Sequence, residues 1–404
     1  MSRLNNCLGL RNGGLKAGCH AALCRPPTID CMSQKLDVCI RGDGMVGRTL
    51  ALLLARQKLR VGLVTSAHLN SQDVRAYSLN SASRDLLSEL RCWPDATHAT
   101  PVRHMRVWGD AGGFTHFESP TPEGLTWIVD VPVLEAQLAQ AVGFQAEITP
   151  LSAPESAALT VVCEGRASTT RAELGVDFEV LPYEQHAVAA RVRCSTPHRQ
   201  QALQWFTQGT HGLEILALLP MGGVHGDTAS LVWSLPPERA KSMLALAPEA
   251  FALVLEDASH GVLGNIELTS ERAMWPLQLA RSNRWTGNFA DGSAWALAGD
   301  AAHNIHPLAG LGLNLGLADV TELAHVLKTR DAKDYWRSVG DRYFMRRYER
   351  ARKADMMPTW LTCDGLQRLF AHPNAGVQAL RNWGMNSFNS LAPAKTWTMQ
   401  QAMG

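Results

Sequence analysis

The chain has 404 residues, 46% of them hydrophobic, with a formal net charge of +1. That length allows two or more packed domains, and the apolar content excludes a mostly disordered protein. The charge balance gives no electrostatic footprint for nucleic acid, and no apolar run is long enough to span a bilayer. Nine scattered cysteines, with no Cys-x-x-Cys pair, exclude a zinc ribbon or a disulfide framework and read as reduced thiols in a cytoplasmic setting.

Residues 1–34 carry Arg3, Arg11, Lys16 and Arg25 against Asp30 as the only acid. They lack a clear amphipathic period. We therefore read them as an extension or a mis-called start, with Met32 as the alternative first residue, rather than as a transit peptide. The first strand is expected at Asp37–Arg41. GDGMVG follows, with Gly42, Gly44 and Gly47 in G-x-G-x-x-G spacing, then an apolar-faced helix over Arg48–Lys58 and a second strand over Arg60–Val64. This order is the context that a dinucleotide turn requires. Gly42 permits the turn, Gly44 admits a pyrophosphate, and Gly47 permits close helix–strand packing. The acid that should end the second strand and grip a ribose is missing: Thr65, Ser66, Ala67 and His68 stand there. A small polar pair at this place would suit a 2′-phosphate, and so NADPH, but the distant segment described below argues for a flavin instead.

Farther along, strands are expected near His186–Cys194, Gln201–Thr207, Leu213–Met221 and Thr228–Leu235. Helices are expected over Pro237–Leu246 and Pro248–Asp257. Strands in series without intervening helices predict an antiparallel sheet. The apolar run Ala294–Ala298 reads as a buried strand that ends in Gly299-Asp300. GDAAHNIHPLAGLGLN then leads into a helix from Gly312 to about Lys328. Asp300 can accept hydrogen bonds from ribityl hydroxyls, Gly310 and Gly312 let backbone approach a ring, and the helix N-terminus around Asn314 favours an electron-rich flavin edge. An ordinary strand–loop–helix crossover is the bland reading of this segment; GDGMVG decides against it.

With both segments in hand, the chain resembles the class A flavoprotein monooxygenases, the para-hydroxybenzoate hydroxylase-like group. The likeness covers residues from about Lys35 to Gly404. DVRAYSLN, from Asp73 to Asn80, resembles the arginine segment of that group, and CEGRASTTR, from Cys163 to Arg171, resembles its Asp-Gly motif with Glu164 in place of the aspartate. RRYERARKADMM (Arg346–Met357), CDGLQRLF (Cys363–Phe370), LRNWGMN (Leu380–Asn386) and PAK (Pro393–Lys395) are similar to the ubiquinone-biosynthesis hydroxylases in particular. Departures are Thr65, Glu164, Leu311 where Gln is usual, and a stretch Glu147–Val161 too short for the usual small meander.

The resemblance implies an α/β protein. A discontinuous Rossmann-like FAD-binding domain (35–180 and 281–358) would carry an inserted mixed, largely antiparallel β-sheet substrate domain (181–280) and a helical C-terminal region (359–404). It implies FAD as cofactor, with NAD(P)H or a protein electron donor as reductant, and O2 with an aromatic, polyprenylated substrate. Oxygen would pass from a C4a-hydroperoxyflavin to the ring of a prenylated phenol. Arg75 would lie near the flavin and Pro307 near its reactive carbon. His303 and His306 are the acid–base candidates, although each reads more readily as a loop residue, His303 as a support for the pyrophosphate loop and His306 as an ordinary loop histidine. The aromatic, mildly basic region from Thr359 fits either peripheral contact with the inner membrane or packing against the FAD domain. Two other functions stay open: a hydroxylase of a small soluble aromatic, and a degenerate flavoprotein scaffold in a quinone-biosynthesis complex.

Overall fold

The computed structural model describes residues 35–65, 73–110, 112–209, 212–304 and 312–371, with side chains described as far as Pro358. In chain order the first elements are β1 (Leu36–Arg41), α1 (Met45–Arg56), β2 (Val61–Val64), β3 (Ala76–Leu79), α2 (Ser81–Glu89), β4 (Ala99–Val102), β5 (His104–Trp108), β6 (Phe114–Glu118), β7 (Thr126–Asp130) and α3 (Val131–Gly143). Then come β8 (Ile148–Leu151), β9 (Ala157–Val162), α4 (Thr169–Glu173), β10 (Phe178–Cys194), β11 (Gln201–Gly209), β12 (Gly212–Met221), β13 (Thr228–Leu235), α5 (Pro237–Ala245) and α6 (Pro248–Ala258). The last are β14 (Ile266–Leu268), β15 (Ala273–Ser282), β16 (Thr286–Asn288), β17 (Ala294–Leu297), a 3-10 turn at Gly299–Ala301, β18 (His303–Asn304), α7 (Gly312–Lys333) and α8 (Arg342–Ala371).

Six strands form one sheet in the order β16-β17-β9-β1-β2-β8, parallel except for β16. Val38, Cys39 and Ile40 of β1 are buried on both faces of it, as the interior of a parallel sheet demands. Its core continues into α1, α3, α7 and α8 through Leu50, Leu54, Leu134, Leu317 and Tyr348. A nine-stranded, largely antiparallel sheet runs β18-β15-β10-β13-β12-β11-β5-β6, with β14 on β10; α5 and α6 cover one face of it through Met243, Phe251 and Leu255. A small sheet, β3-β7-β4, lies against the large one through Ala76, Val102, Ile128, Ala202 and Met221.

The mixed α/β architecture with its inserted sheet is as expected from the sequence, with one correction to the boundaries. The segment 104–118, assigned above to the FAD domain, forms the hairpin β5–β6, and β5 pairs in parallel with β11 of the inserted sheet, from His104 opposite Gln201 to Trp108 opposite Trp205. The reason is packing: Val107 joins Phe206, Leu213 and Ile215 in one apolar cluster. The short stretch Glu147–Val161 needs no meander. After β8 it passes directly into β9, burying Leu36, Cys39, Leu151 and Ala157 together. The C-terminal region is helical through Ala371, and the rest of it lies outside the described residues. Among the described residues no helix is long and apolar enough to cross a membrane.

Candidate active site

Two turns at the ends of β1 and β17, strands of one sheet with β9 between them, face one cavity. The first is GDGMVG, between β1 and α1. Gly42 has φ +107°, and a Cβ there would sit 2.5 Å from the Cys163 carbonyl oxygen; a Cβ on Gly47 would sit 1.9 Å from the Gly42 oxygen. These contacts are with backbone, so neither can relax cheaply, and α1 is seated directly on the strand ends. Gly44 caps α1 with extended backbone and no side-chain cap, and the first turn of α1 holds no acid. The amides of that turn are thus aimed where an anion is stabilised, and Gly44, Met45 and Val46 line the cavity. Beside them Arg48 pairs with Asp43 at 3.1 Å and donates to the Glu135 carbonyl at 3.3 Å.

The second turn follows β17. Gly299 has φ +62°, a conformation that favours glycine, and it turns Asp300 toward the cavity. Burial pushes the Asp300 carboxyl above the usual carboxylate range, against the charges of His303, Arg75 and Arg166 and a hydrogen bond from Asn304. Behind the turn lies a buried hub. Asp319 of α7 accepts from the Gly299 amide at 2.9 Å, from His303 Nε2 at 2.6 Å and from Arg352 Nε at 2.8 Å. Burial alone would raise the Asp319 carboxyl; His303 and the Arg352 guanidinium outweigh it and hold it below the usual range.

The cavity measures about 880 Å³, within the span of small-molecule sites of about 300–1,000 Å³. One wall is polar and carries Gly44, Arg75, Tyr77, Glu135, Arg166, Asp300 and Gly312. The facing wall belongs to the inserted sheet and is mostly apolar: Met105, Phe117, Leu219, Val232 and Trp275, with Gln204 among them.

Gly44, Arg75, Asp300, Gly312 and Asn314 line this cavity, and Gly42, Gly47 and Gly299 shape the turns that carry them, with modified roles for Arg75 and Asn314. Arg75 is tied to Asp73 and reaches the Tyr77 hydroxyl at 3.2 Å. Arg191 of β10 fixes that segment from behind, pairing with both carboxylate oxygens of Asp130 and donating to the Asp73, Val74 and Arg75 carbonyls. Asn314 spends its side chain on protein: Nδ2 donates to the Ser78 carbonyl, and Oδ1 accepts from the Asn80 amide and the Ser83 hydroxyl. It clamps β3 and α2 to the start of α7, leaving only its backbone for a ligand. His303 is a correction. It is not among the residues that line the cavity; its ring is buried, held by Asp319 and stacked on Trp285 at 5.1 Å, where it props the turn. Pro307 and Gly310, with His306 and Leu311, lie outside the described residues.

The departures are accommodated locally. Glu164 accepts from Arg41 Nε at 3.0 Å, Ser168 Oγ at 2.8 Å, and the Thr170 hydroxyl and amide, tying β1 to α4. Burial opposes its ionisation, and these bonds together hold it below the usual range. Thr65 gives its amide and hydroxyl to the Leu151 carbonyl, so at that position no carboxylate awaits a ribose. Asp319, Arg352 and Arg191 are positioning residues that reading the sequence missed. Each acts across long separations in the chain, with no local spacing to reveal it.

The cradle fits FAD. Gly44 leaves open space at the cavity, the uncapped α1 terminus faces it, and Asp300 and the α7 start also line it. This fold and site define an FAD-dependent monooxygenase. Residues 135–355 match the family described as FAD binding domain, and the chain belongs to that family. It is 28% identical to ubiquinone hydroxylase UbiL of Rhodospirillum rubrum, over 97% of this chain and 94% of the relative. It is also 28% identical to 3-demethoxyubiquinol 3-hydroxylase of Escherichia coli, over 92% and 99%. Among solved structures it is similar in fold to pqsL, a probable FAD-dependent monooxygenase from Pseudomonas aeruginosa, with a TM-score of 0.66 at 22% identity over 87% of this chain and all of the other.

Proposed function

We propose that this enzyme hydroxylates the aromatic ring of a prenylated phenol in ubiquinone biosynthesis, with FAD as cofactor, NAD(P)H as reductant and O2 as oxidant. The observation that carries the reading is the two-walled cavity: amides, Asp300 and the α7 start on one side, an apolar sheet face on the other. FAD, when bound and reduced, supplies the oxygen activation that no side chain here can provide. The protein's share is placement. The α1 terminus takes the pyrophosphate and Asp300 takes ribityl hydroxyls. Met105, Phe117, Leu219 and Trp275 hold the ring and exclude water from the reacting face. The relatives' names supply the pathway and the class of substrate.

The test has two arms. Purified protein is expected to show a flavin visible spectrum and to oxidise NAD(P)H faster with a prenylphenol present. A deletion strain is expected to accumulate a prenylated precursor lacking one hydroxyl. Protein that will not take up FAD, or a strain with a normal quinone profile, would overturn the reading. We extend it to peripheral membrane contact through residues 359–404, by which the enzyme would reach a prenylated substrate; liposome flotation should fall when they are removed. Membership of a quinone-biosynthesis complex is the further expectation, checked by co-purification from cells.

A further inference from the structure

The hairpin β5–β6 has two faces. Met105 and Phe117 project from one into the active-site cavity. The other carries His104, Arg106 and Trp108 on β5, and Phe114, His116 and Glu118 on β6. His104 stands directly opposite Glu118, and His116 is two residues from Glu118 on the same strand, so all three share the back face. The two imidazoles lie nearly parallel, with centroids 5.5 Å apart, and one donor atom from each of the three side chains falls within 4.8 Å of the others.

We infer that His104, His116 and Glu118 form a binding site for a divalent transition metal such as Zn2+, on the back of the hairpin that walls the active site. Two neutral imidazoles and one carboxylate are a ligand set that zinc accepts, with other positions left to water. Bonds of about 2.0–2.2 Å call for donor atoms roughly 3.4 Å apart, which modest side-chain rotations reach from the present spacing. The backbone is already fixed by the β5–β6 ladder and by the pairing of β5 with β11. Glu118 brings the one negative charge. Arg106, opposite His116 on the same face, is the one nearby cation of the hairpin; it limits affinity and favours a softer, imidazole-binding metal over Ca2+ or Mg2+. The terminal strand of the sheet would gain a cross-strand staple, and through alternation that staple would stiffen the strands holding Met105 and Phe117.

The test is a Zn2+ titration of the FAD-loaded enzyme against a chromogenic chelator near neutral pH. Wild type should bind one equivalent. His104→Ala and Glu118→Gln should each weaken that site by at least about tenfold, whereas His260→Ala, a surface histidine elsewhere, should leave it unchanged. Zn2+ should raise the thermal midpoint of wild type and not of His104→Ala. Both variants face away from the cavity, so each should keep its flavin spectrum, which verifies folding independently of metal. Absence of a stoichiometric site in wild type, or equal affinity in all four proteins, overturns the inference.

Discussion

The two turns that frame the cofactor cavity are held by opposite means. The Gly42–Gly47 turn is held by contact: backbone lies where a Cβ on Gly42 or Gly47 would go, and only glycine fits at those two positions. The Gly299–Asp300 turn is held by charge, through one buried carboxylate that gathers an amide, an imidazole and a guanidinium. The first is built from six consecutive residues. The second is assembled from α7, α8 and the loop between them and β17. A sterically held turn is intolerant of added volume and indifferent to pH; an electrostatically held one should be the reverse.

The largest effect should come from Gly47→Ala. Its methyl would meet the Gly42 carbonyl at 1.9 Å with no side chain to yield, so little soluble protein with flavin absorbance is expected. Normal yield and flavin content would break the steric half of the contrast. Asp319→Ala follows. It removes the acceptor of the Gly299 amide, His303 and Arg352 Nε, leaving Arg352 only Asp355 and the Leu315 carbonyl, and losing one partner of a buried charged set costs about 3–5 kcal/mol, measurable by denaturant unfolding. Its pH signature sharpens the electrostatic half. The Asp319 carboxyl is lowered on folding, so its contribution is complete above the ordinary carboxylate range and is lost as pH falls through the lowered value. The variant should lack that acid limb.

Asp300→Asn should act in two directions. The folded carboxyl is raised, so it favours the fold only at low pH, and that benefit is lost as pH rises through the raised value. At neutral pH the flavin-free variant should therefore melt higher than wild type. Losing a charged acceptor should weaken FAD binding by about 10–100-fold, as flavin fluorescence would show. The smallest effect is expected from Gly44→Ala. No protein atom lies within 4 Å of the added methyl, so stability should stay within about 0.5 kcal/mol, while FAD affinity falls because that open space faces the cavity.

The same contrast explains what could be read from the chain. The steric turn was legible because glycine spacing between a strand and a helix is local and has one physical meaning. The inserted sheet was legible from strands in series, with β12 and β13 found almost to the residue. His303 stayed open between two roles because an imidazole near a cofactor loop looks the same whether it faces substrate or a buried carboxylate. Asp319 sits mid-helix among apolar residues, and its partners Arg352 and Gly299 are distant in sequence. The segment 104–118 fell within the FAD-domain bounds for a related reason. Its alternation fits any two-faced strand pair, and its parallel partner β11 lies far downstream.

The late pairing of the hairpin β5–β6 bears on synthesis. On the ribosome, β5 and β6 emerge long before β11, the strand that gives them a neighbour. Until then the pair is a ribbon with apolar Val107 and Phe117 uncovered, the kind of exposed edge that chaperones bind and that seeds aggregation. Neither the cofactor half nor the inserted half can be cut out as a contiguous fragment without orphaning it. Attempts to express either half alone should yield insoluble material, whereas co-expression with the break placed in the mostly exposed turn 222–227, after β12, should preserve the pairing.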